Sequence, residues 1–357
     1  MKRSSKFSEE RDSKGFGRSQ VTKTVFFITV VFLLASFSTQ VGAERWTIET
    51  ADSEGDLGLS SSLKVTSDRE VYVSYYDASN GNLRYAERDN NEWIRTTVDS
   101  GNNVGSESSL AIDPDGAPHI AYFDSYYGSI KYAKRPQSSW QIETIDSVGN
   151  STSFISIAID NETKPHVIYY DSSTEDLMYA IRDNESWTSE TIESAGDVGK
   201  YNSLVLDDSG VPHISYYDGS DTSLKYAFLS GKSWEIQTVT SKNDSGLYAS
   251  IILDDNDEPH ITYIEGQRDN LMYSQMSSGS WDIEKVDSNV SAGSDTGIGL
   301  DYSGYPHICF YDTADKDIMY GRKNKLGWYT EKVESDGEVG SHLSMTLDKD
   351  YNIHTTY

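Results

Sequence analysis

Short apolar runs alternate with polar, turn-forming segments from Trp46 to Tyr357. Within one unit the runs are Ser109–Asp113, Pro118–Asp124, Ile130–Ala133 and Trp140–Ile145. They are rich in β-branched and aromatic residues, whereas the segments between them are rich in Gly, Asp, Asn and Ser. Apolar residues at helical spacing are not found after residue 43. The pattern therefore predicts short β-strands joined by turns.

The same pattern recurs every 47 residues. Trp falls at 46, 93, 140, 187, 234, 281 and 328, His at 119, 166, 213, 260, 307 and 354, and Tyr at 85, 132, 179, 226, 273 and 320. Four strands in a unit of this length are typical of a β-propeller blade. We therefore predict an all-β fold, a seven-bladed β-propeller of four-stranded antiparallel blades whose last blade is incomplete.

The incomplete blade follows from the strand count, which is one short of seven blades of four. The chain offers a lone strand at Trp46, six full sets of four, and two strands near 343–348 and 353–357. We expect the first strand to complete the last blade. We also expect either that the natural reading frame extends past Tyr357, or that one blade is three-stranded or gapped.

Residues 1–43 lie outside the repeat. Seven basic residues precede an apolar run at 25–37 and then Val41-Gly42-Ala43. This order is typical of a signal peptide, and the run is shorter than the roughly 20 residues of a membrane span. We predict that 1–43 is a signal peptide or a retained signal anchor and that 44–357 is the propeller. The protein would be secreted or on the cell surface, with membrane contact only if the segment is retained.

The net charge of −27 argues against some classes of binding partner. An acidic surface repels nucleic acid and anionic membranes, so nucleic-acid binding is not expected. The single cysteine, Cys309, occupies a strand position that holds small or aliphatic residues in other repeats. We interpret it as a strand residue and not as a nucleophile.

Carboxylates concentrate in the predicted loops of one face. The loops between the second and third strands begin with Asp77, Asp124, Asp171, Asp218, Glu265 and Asp312, which are our candidates for ligand binding. Asp52, Asp56 and Asp99, in loops that lead into first strands, are candidates for weak Ca²⁺ binding, without the EF-hand spacing. A solvated, turn-forming surface is the simpler explanation of the same residues. Beyond Ca²⁺, no cofactor is expected.

The repeated histidines and tryptophans have a structural explanation. One imidazole per blade is too far from its neighbours to share a metal ion, so we expect each to bond within its own blade. The tryptophans are expected to be largely buried between blades. His342 lies outside the histidine series, and we expect it near the mouth of the channel.

The segment Asp207–Asp218, Asp-Asp-Ser-Gly-Val-Pro-His-Ile-Ser-Tyr-Tyr-Asp, resembles the repeats of secreted sialidase-like (BNR-type) propellers, with a more distant likeness to propeller lectins. The resemblance covers 46–357 and implies the fold. The family's Asp-box is degenerate here because Asp208-Ser-Gly210 lacks the Thr-Trp that should follow. The arginine triad of sialidases is not matched either, since Arg88, Arg135 and Arg182 share one repeat position on separate blades.

We therefore favour a secreted, non-enzymatic propeller that binds a glycan or an extracellular protein through its acidic loop face. The alternative is a glycoside hydrolase or lyase on the same scaffold. An enzyme is expected to interrupt the repeat with unique charged residues at the central channel, whereas a lectin keeps one pocket per blade.

Overall fold

The computed structural model describes residues 28–33, 46–149, 151, 154–183, 185–287, 291–335 and 342–357. All regular structure in these ranges is β-strand, which confirms the all-β prediction. Among the same residues there is no helix that could cross a membrane.

Six blades are each formed by four consecutive strands in antiparallel order, as predicted for a single blade. Blade 1 contains β3 (Leu57–Val65), β4 (Val71–Asp77), β5 (Asn82–Asp89) and β6 (Glu92–Asp99). Blade 2 contains β7 (Val104–Ile112), β8 (Pro118–Asp124), β9 (Ser129–Lys134) and β10 (Gln141–Ser147). Blade 3 contains β11 (Ile155–Ile159), β12 (Pro165–Asp171), β13 (Asp176–Asp183) and β14 (Ser186–Glu193). Blade 4 contains β15 (Val198–Leu206), β16 (Pro212–Asp218), β17 (Ser223–Ser230) and β18 (Ser233–Thr240). Blade 5 contains β19 (Ser245–Leu253), β20 (Pro259–Glu265), β21 (Asn270–Ser277) and β22 (Ser280–Lys285). Blade 6 contains β23 (Ala292–Leu300), β24 (Pro306–Asp312), β25 (Asp317–Asn324) and β26 (Gly327–Glu334).

The two ends of the described chain meet in a closing sheet between blade 6 and blade 1. Its strand order is β2 (Trp46–Asp52), β1 (Ile28–Leu33), β28 (Ile353–Thr356) and β27 (Ser344–Leu347). The inner strand β27 contacts β23 on one side and β3 on the other. The first strand of the repeat region therefore does join the last two, as expected.

The prediction of a seven-bladed propeller with an incomplete last blade is wrong. Six blades, not seven, consist of four consecutive strands. The closing sheet is built from strands of both chain ends and has four strands, so no strand is missing from it. The place expected to be empty is taken by β1, which pairs antiparallel with both β2 and β28. The strand count missed β1 because its apolar run was assigned to the leader.

In blades 2 to 6 a polar relay joins three strands, whereas blade 1 has Thr66 and Tyr72 in place of the aspartate and the histidine. In blade 2 the Asp113 carboxylate lies 3.0 Å from His119 Nε2, and His119 Nδ1 lies 2.6 Å from the Tyr132 hydroxyl. The Asp113 carboxylate also accepts hydrogen bonds from the backbone N–H groups of Asp115 and Ala117. The histidine–tyrosine contact recurs in blades 3 to 6, at His166, His213, His260 and His307. The prediction that these imidazoles bond within their own blades is confirmed.

Tryptophans at the start of each outer strand link neighbouring blades. The ring of Trp187 in blade 3 packs edge-on against Tyr132 in blade 2, with centroids 5.1 Å apart. The same contact is made by Trp46, Trp140, Trp234, Trp281 and Trp328. Edge-to-face packing at this distance is favourable for aromatic pairs. Packing between blades is confirmed, although the indoles are half-buried and not largely buried.

A ring of serines on the inner strands holds the blades together near the axis. The Ser62 hydroxyl accepts a hydrogen bond from the Leu110 N–H of the next blade, 3.0 Å away. Ser109, Ser156, Ser203 and Ser344 make the equivalent contact. These bonds pair backbone donors that would otherwise be left at the inner edge of a blade. The contact from Ser344 to Leu63 joins the closing sheet to blade 1 and so closes the ring.

Candidate functional site

One repeat position places a side chain at the mouth of the central channel. Its occupants, in chain order, are Ser60, Glu107, Phe154, Tyr201, Tyr248, Asp295 and His342. All but Phe154 have a positive φ, between 41° and 67°. This backbone region is uncommon for residues other than glycine, and strain of this kind is concentrated at functional sites.

At five of these six residues the positive φ falls in a bulge of the inner strand. The pairing of β7 with β8 shifts register between Ser106 and Ser109, around Glu107, and the pairings of β3, β15, β19 and β23 shift at the equivalent place. A bulge re-aims the extra residue and leaves its carbonyl unpaired in the ladder. The next blade supplies the partner: the Thr296 hydroxyl donates to the Tyr248 carbonyl at 2.7 Å, and the Ser108 hydroxyl donates to the Ser60 carbonyl at 2.9 Å.

Three aromatic side chains form a continuous arc on one side of the mouth. Phe154 and Tyr201 have ring centroids 4.5 Å apart, and Tyr201 and Tyr248 are also 4.5 Å apart. Burial raises the pKa of Tyr201 to about 12, so its phenol stays neutral and can donate a hydrogen bond. Such an arc offers flat apolar faces together with polar hydroxyls.

The other side of the mouth is acidic. Burial, with a smaller contribution from the nearby Asp295 charge, raises the pKa of Glu107 to about 7. Burial also raises the pKa of Asp295, whose carboxylate accepts a hydrogen bond from the His342 backbone N–H at 2.8 Å. The elevated pKa of Glu107 means that a large fraction of this carboxyl is protonated at neutral pH.

Two adjoining cavities of about 400 Å³ and 140 Å³ open at this mouth. Glu107, Asp295 and His342 line both of them, and the three aromatic residues line the larger one. The larger volume lies within the range of small-molecule sites, which is about 300–1,000 Å³. The expected position of His342 at the channel mouth is confirmed.

The loop carboxylates predicted to bind a ligand have other partners in the structure. Asp77, Asp124, Asp218, Glu265 and Asp312 are buried, and Asp171 is half-buried. Asp124 accepts hydrogen bonds from the N–H groups of Tyr126 and Tyr127, and Asp218 does the same for Ser220 and Asp221. The structure places these side chains in turns on separate blades and does not bring them together. Ligand binding by them stays a prediction.

The three carboxylates predicted to bind Ca²⁺ lie at two strand connections, Asp52 and Asp56 at the one from β2 to β3 and Asp99 at the one from β6 to β7. Asp52 accepts a hydrogen bond from the Tyr75 hydroxyl at 2.6 Å, and Asp99 accepts one from Lys131 at 2.6 Å. The Asp56 backbone N–H donates a hydrogen bond to the Ser79 hydroxyl. Within the described ranges, no group of three or more His, Cys, Asp or Glu side chains is arranged to hold a metal ion. Ca²⁺ binding therefore stays a prediction.

Our sequence interpretation missed the channel position as a set, although it named His342. The signal was present in the repeat, because this column holds Ser, Glu, Phe, two Tyr, Asp and His, whereas the column two positions before it is almost all Gly and the column two positions after it is almost all Ser. We sought function in the repeated residues, and the site lies where the repeat is interrupted.

The fold is that of a β-propeller with solved relatives of diverse function. The chain is similar to the Aleuria aurantia lectin, solved as a mutant in complex with Fucalpha1-6GlcNAc, with a TM-score of 0.54, 15% identity, and coverage of 78% of this chain and 97% of the lectin. It is also similar to an ulvan lyase of a new polysaccharide lyase family, with a TM-score of 0.52, 12% identity, and coverage of 82% and 90%. The periplasmic gluconolactonase of Pseudomonas aeruginosa matches with a TM-score of 0.54, 10% identity, and coverage of 88% and 97%. At these identities the likeness defines the class as a β-propeller and leaves binding and enzymatic functions both open.

No protein-family model matches the chain, and no curated protein matches it.

Proposed function

We propose that this protein is a carbohydrate-binding propeller with a single ligand site at the channel mouth. The observation that carries the proposal is the arc of Phe154, Tyr201 and Tyr248 facing the Glu107 and Asp295 carboxyls across one cavity. Sugar rings present apolar C–H faces that pack on aromatic rings, and hydroxyl groups that pair with carboxyl and phenol oxygens. The arrangement supplies both kinds of partner, as small-molecule sites generally do.

This proposal moves the ligand site away from the acidic loops that we favoured from the sequence. The loop carboxylates are engaged by their own turns, whereas the channel residues differ from repeat to repeat. A lectin with one pocket in every blade would hold several ligands. The channel mouth would hold one.

The test is a titration with neutral mono- and disaccharides, among them fucose, galactose, N-acetylglucosamine and cellobiose, followed by calorimetry and saturation-transfer NMR. We expect a stoichiometry of one per chain. Tyr201→Ala should weaken binding about two- to tenfold, since an aromatic contact contributes roughly 0.5–1.5 kcal/mol. Tyr126→Ala is the matched control, because Tyr126 is 60% exposed on a blade 2 loop. A stoichiometry near six, or equal affinities for the two variants, would exclude the channel as the site.

A glycoside hydrolase or lyase activity is the second candidate, and the state of Glu107 favours it. A carboxyl whose pKa lies near 7 can act as a general acid at neutral pH. The unique charged residues at the channel are also the feature that we expected of an enzyme and not of a lectin. Glu107→Gln should abolish turnover of a nitrophenyl glycoside panel while leaving sugar binding measurable. If the unaltered protein cleaves no member of the panel, the non-enzymatic binding function stands.

Export remains part of the proposal. It is supported by the basic residues, the apolar run at 25–37 and Ala43, as well as by the resemblance to secreted sialidase-like repeats. N-terminal sequencing of protein recovered from the medium of an expressing culture would test cleavage after Ala43.

A further inference from the structure

The channel mouth has an uncompensated acidic character. Among the described residues that line the two cavities there is no lysine or arginine, and His342 is the only basic side chain. Other half-buried carboxylates have cationic partners, as Asp99 has in Lys131 and Glu193 has in Lys225. In the described part of the chain, the half-buried Glu107 side chain has no hydrogen-bond partner and no ion-pair partner. Glu107 therefore differs from these paired carboxylates.

The aromatic arc supplies a second, independent preference for positive charge. The faces of Phe154, Tyr201 and Tyr248 border the larger cavity, which Glu107 and Asp295 border as well. The π face of an aromatic ring carries partial negative charge and attracts ammonium groups within about 6 Å. A cation in this cavity would meet carboxyl oxygens on one side and ring faces on the other. A carboxylate ligand, such as a uronic acid, would be repelled by the same carboxyls and would have His342 as its only basic partner among the described lining residues.

We propose that the sugar bound at the channel mouth is an amino sugar whose free ammonium group lies between the carboxyls of Glu107 and Asp295 and the ring of Tyr248. The inference rests on the proposed carbohydrate-binding function and narrows it to a cationic ligand. A desolvated carboxyl next to a second carboxyl lacks a counter-charge, and a ligand ammonium supplies one. Charge-assisted hydrogen bonds of this kind are about twice as strong as neutral ones.

The test compares a glucosamine disaccharide (chitobiose) with its N,N′-diacetyl form at pH 6.5 by calorimetry. The two ligands share their rings and hydroxyls and differ in the amine. We expect the free amine to bind at least tenfold more tightly. Glu107→Gln and Asp295→Asn should each reduce that preference to less than threefold, because each should weaken binding of the free amine much more than binding of the diacetyl form. Asp255→Asn is the matched control, because it removes one exposed carboxylate from a blade 5 turn and should change neither affinity.

The outcomes separate this inference from the function on which it rests. Equal affinity for the two disaccharides, or tighter binding of the diacetyl form, would overturn the amino-sugar inference and leave sugar binding in place. A preference that survives both Glu107→Gln and Asp295→Asn would overturn it as well, because the amine would then be recognised elsewhere on the acidic surface. Absence of binding by both disaccharides and by the neutral panel would reject the proposed function itself.

Discussion

Acid should destabilise this fold steeply, because its blade relays depend on neutral imidazoles. His119 is completely buried, and burial lowers its pKa from 6.5 to about 4, against the opposing influence of Asp113. Lys134 and Arg182 also face this imidazole and lower its pKa further. Burial likewise lowers the pKa values of His166, His213, His260, His307 and His354.

The sign and size of this effect of pH on the free energy of unfolding follow from proton linkage. An unfolded chain protonates these histidines below pH 6.5, whereas the folded chain does so only at lower pH, so the unfolded state binds more protons in between. Stability is therefore retained above pH 6.5 and lost as the pH falls from there toward 4. For His119 the shift of about 2.5 pH units is worth roughly 3 kcal/mol.

Two carboxyls act in the opposite direction. The folded-state pKa values of Glu107 and Asp295 are raised, so the folded chain binds extra protons at these two sites. Acidification therefore makes their contribution to the free energy of unfolding more favourable to the folded state. Because six histidines have a lowered pKa and two carboxyls a raised one, the unfolded chain should bind more protons than the folded chain near pH 5.5. The free energy of unfolding should therefore decrease as the pH falls, with His119 alone contributing up to about 1.4 kcal/mol per pH unit.

The assay is urea unfolding monitored by tryptophan fluorescence at half-unit steps from pH 7.5 to 5. His119→Asn keeps a polar side chain without a titrating imidazole. In this variant the decrease in the free energy of unfolding per pH unit should be smaller by the contribution of about one proton. A free energy that stays constant from pH 7 to 5 would refute the argument, since it would mean that the imidazoles are solvated or already charged in the folded protein.

Three further predictions test packing, backbone strain and metal binding. Trp187→Ala should lower the free energy of unfolding in urea by about 3 kcal/mol, because it removes the contact with Tyr132 and the hydrogen bond from Nε1 to Glu143. The control is Leu326→Ala, at a residue that is 97% exposed, which should lower it by less than about 0.5 kcal/mol. A cost below about 1 kcal/mol for Trp187→Ala would show that the indoles do not join the blades. Gly105→Ala should lower the melting temperature far more than Gly116→Ala. Both glycines have a positive φ, but only at Gly105 would the new Cβ lie 2.7 Å from the Leu83 Cα. Similar decreases in melting temperature for the two variants would contradict that close approach. Millimolar Ca²⁺ should raise the melting temperature slightly if Asp52, Asp56 and Asp99 bind it weakly, and the absence of any shift relative to Mg²⁺ would leave these carboxylates as turn and ion-pair residues only.

Local structure could be predicted from the repeat because most blades make the same contacts. Blades 2 to 6 each have a carboxylate at the first turn, an imidazole on the second strand and an indole that packs against the preceding blade, so these residues recur at fixed spacing. Asp113, His119 and Trp140 could therefore be assigned structural roles from the sequence. The number of blades made of consecutive strands could not be predicted from the sequence. β1 lies in an apolar run outside the repeat, and its pairing with β28 joins strands from the two ends of the described chain.

By itself, the sequence determined the all-β class, the four-stranded antiparallel blades, the relays within blades and the packing of tryptophans between them. These features depend on contacts that recur at a constant separation along the chain. Only the tertiary structure decided the composite closing sheet and the site at the channel mouth. Glu107, Phe154, Tyr201, Tyr248, Asp295 and His342 are 47 or more residues apart, and only the closed ring brings them around one axis. Their burial there is also what raises the pKa of Glu107, since a low-dielectric cavity next to a second carboxyl exists only once the ring is complete.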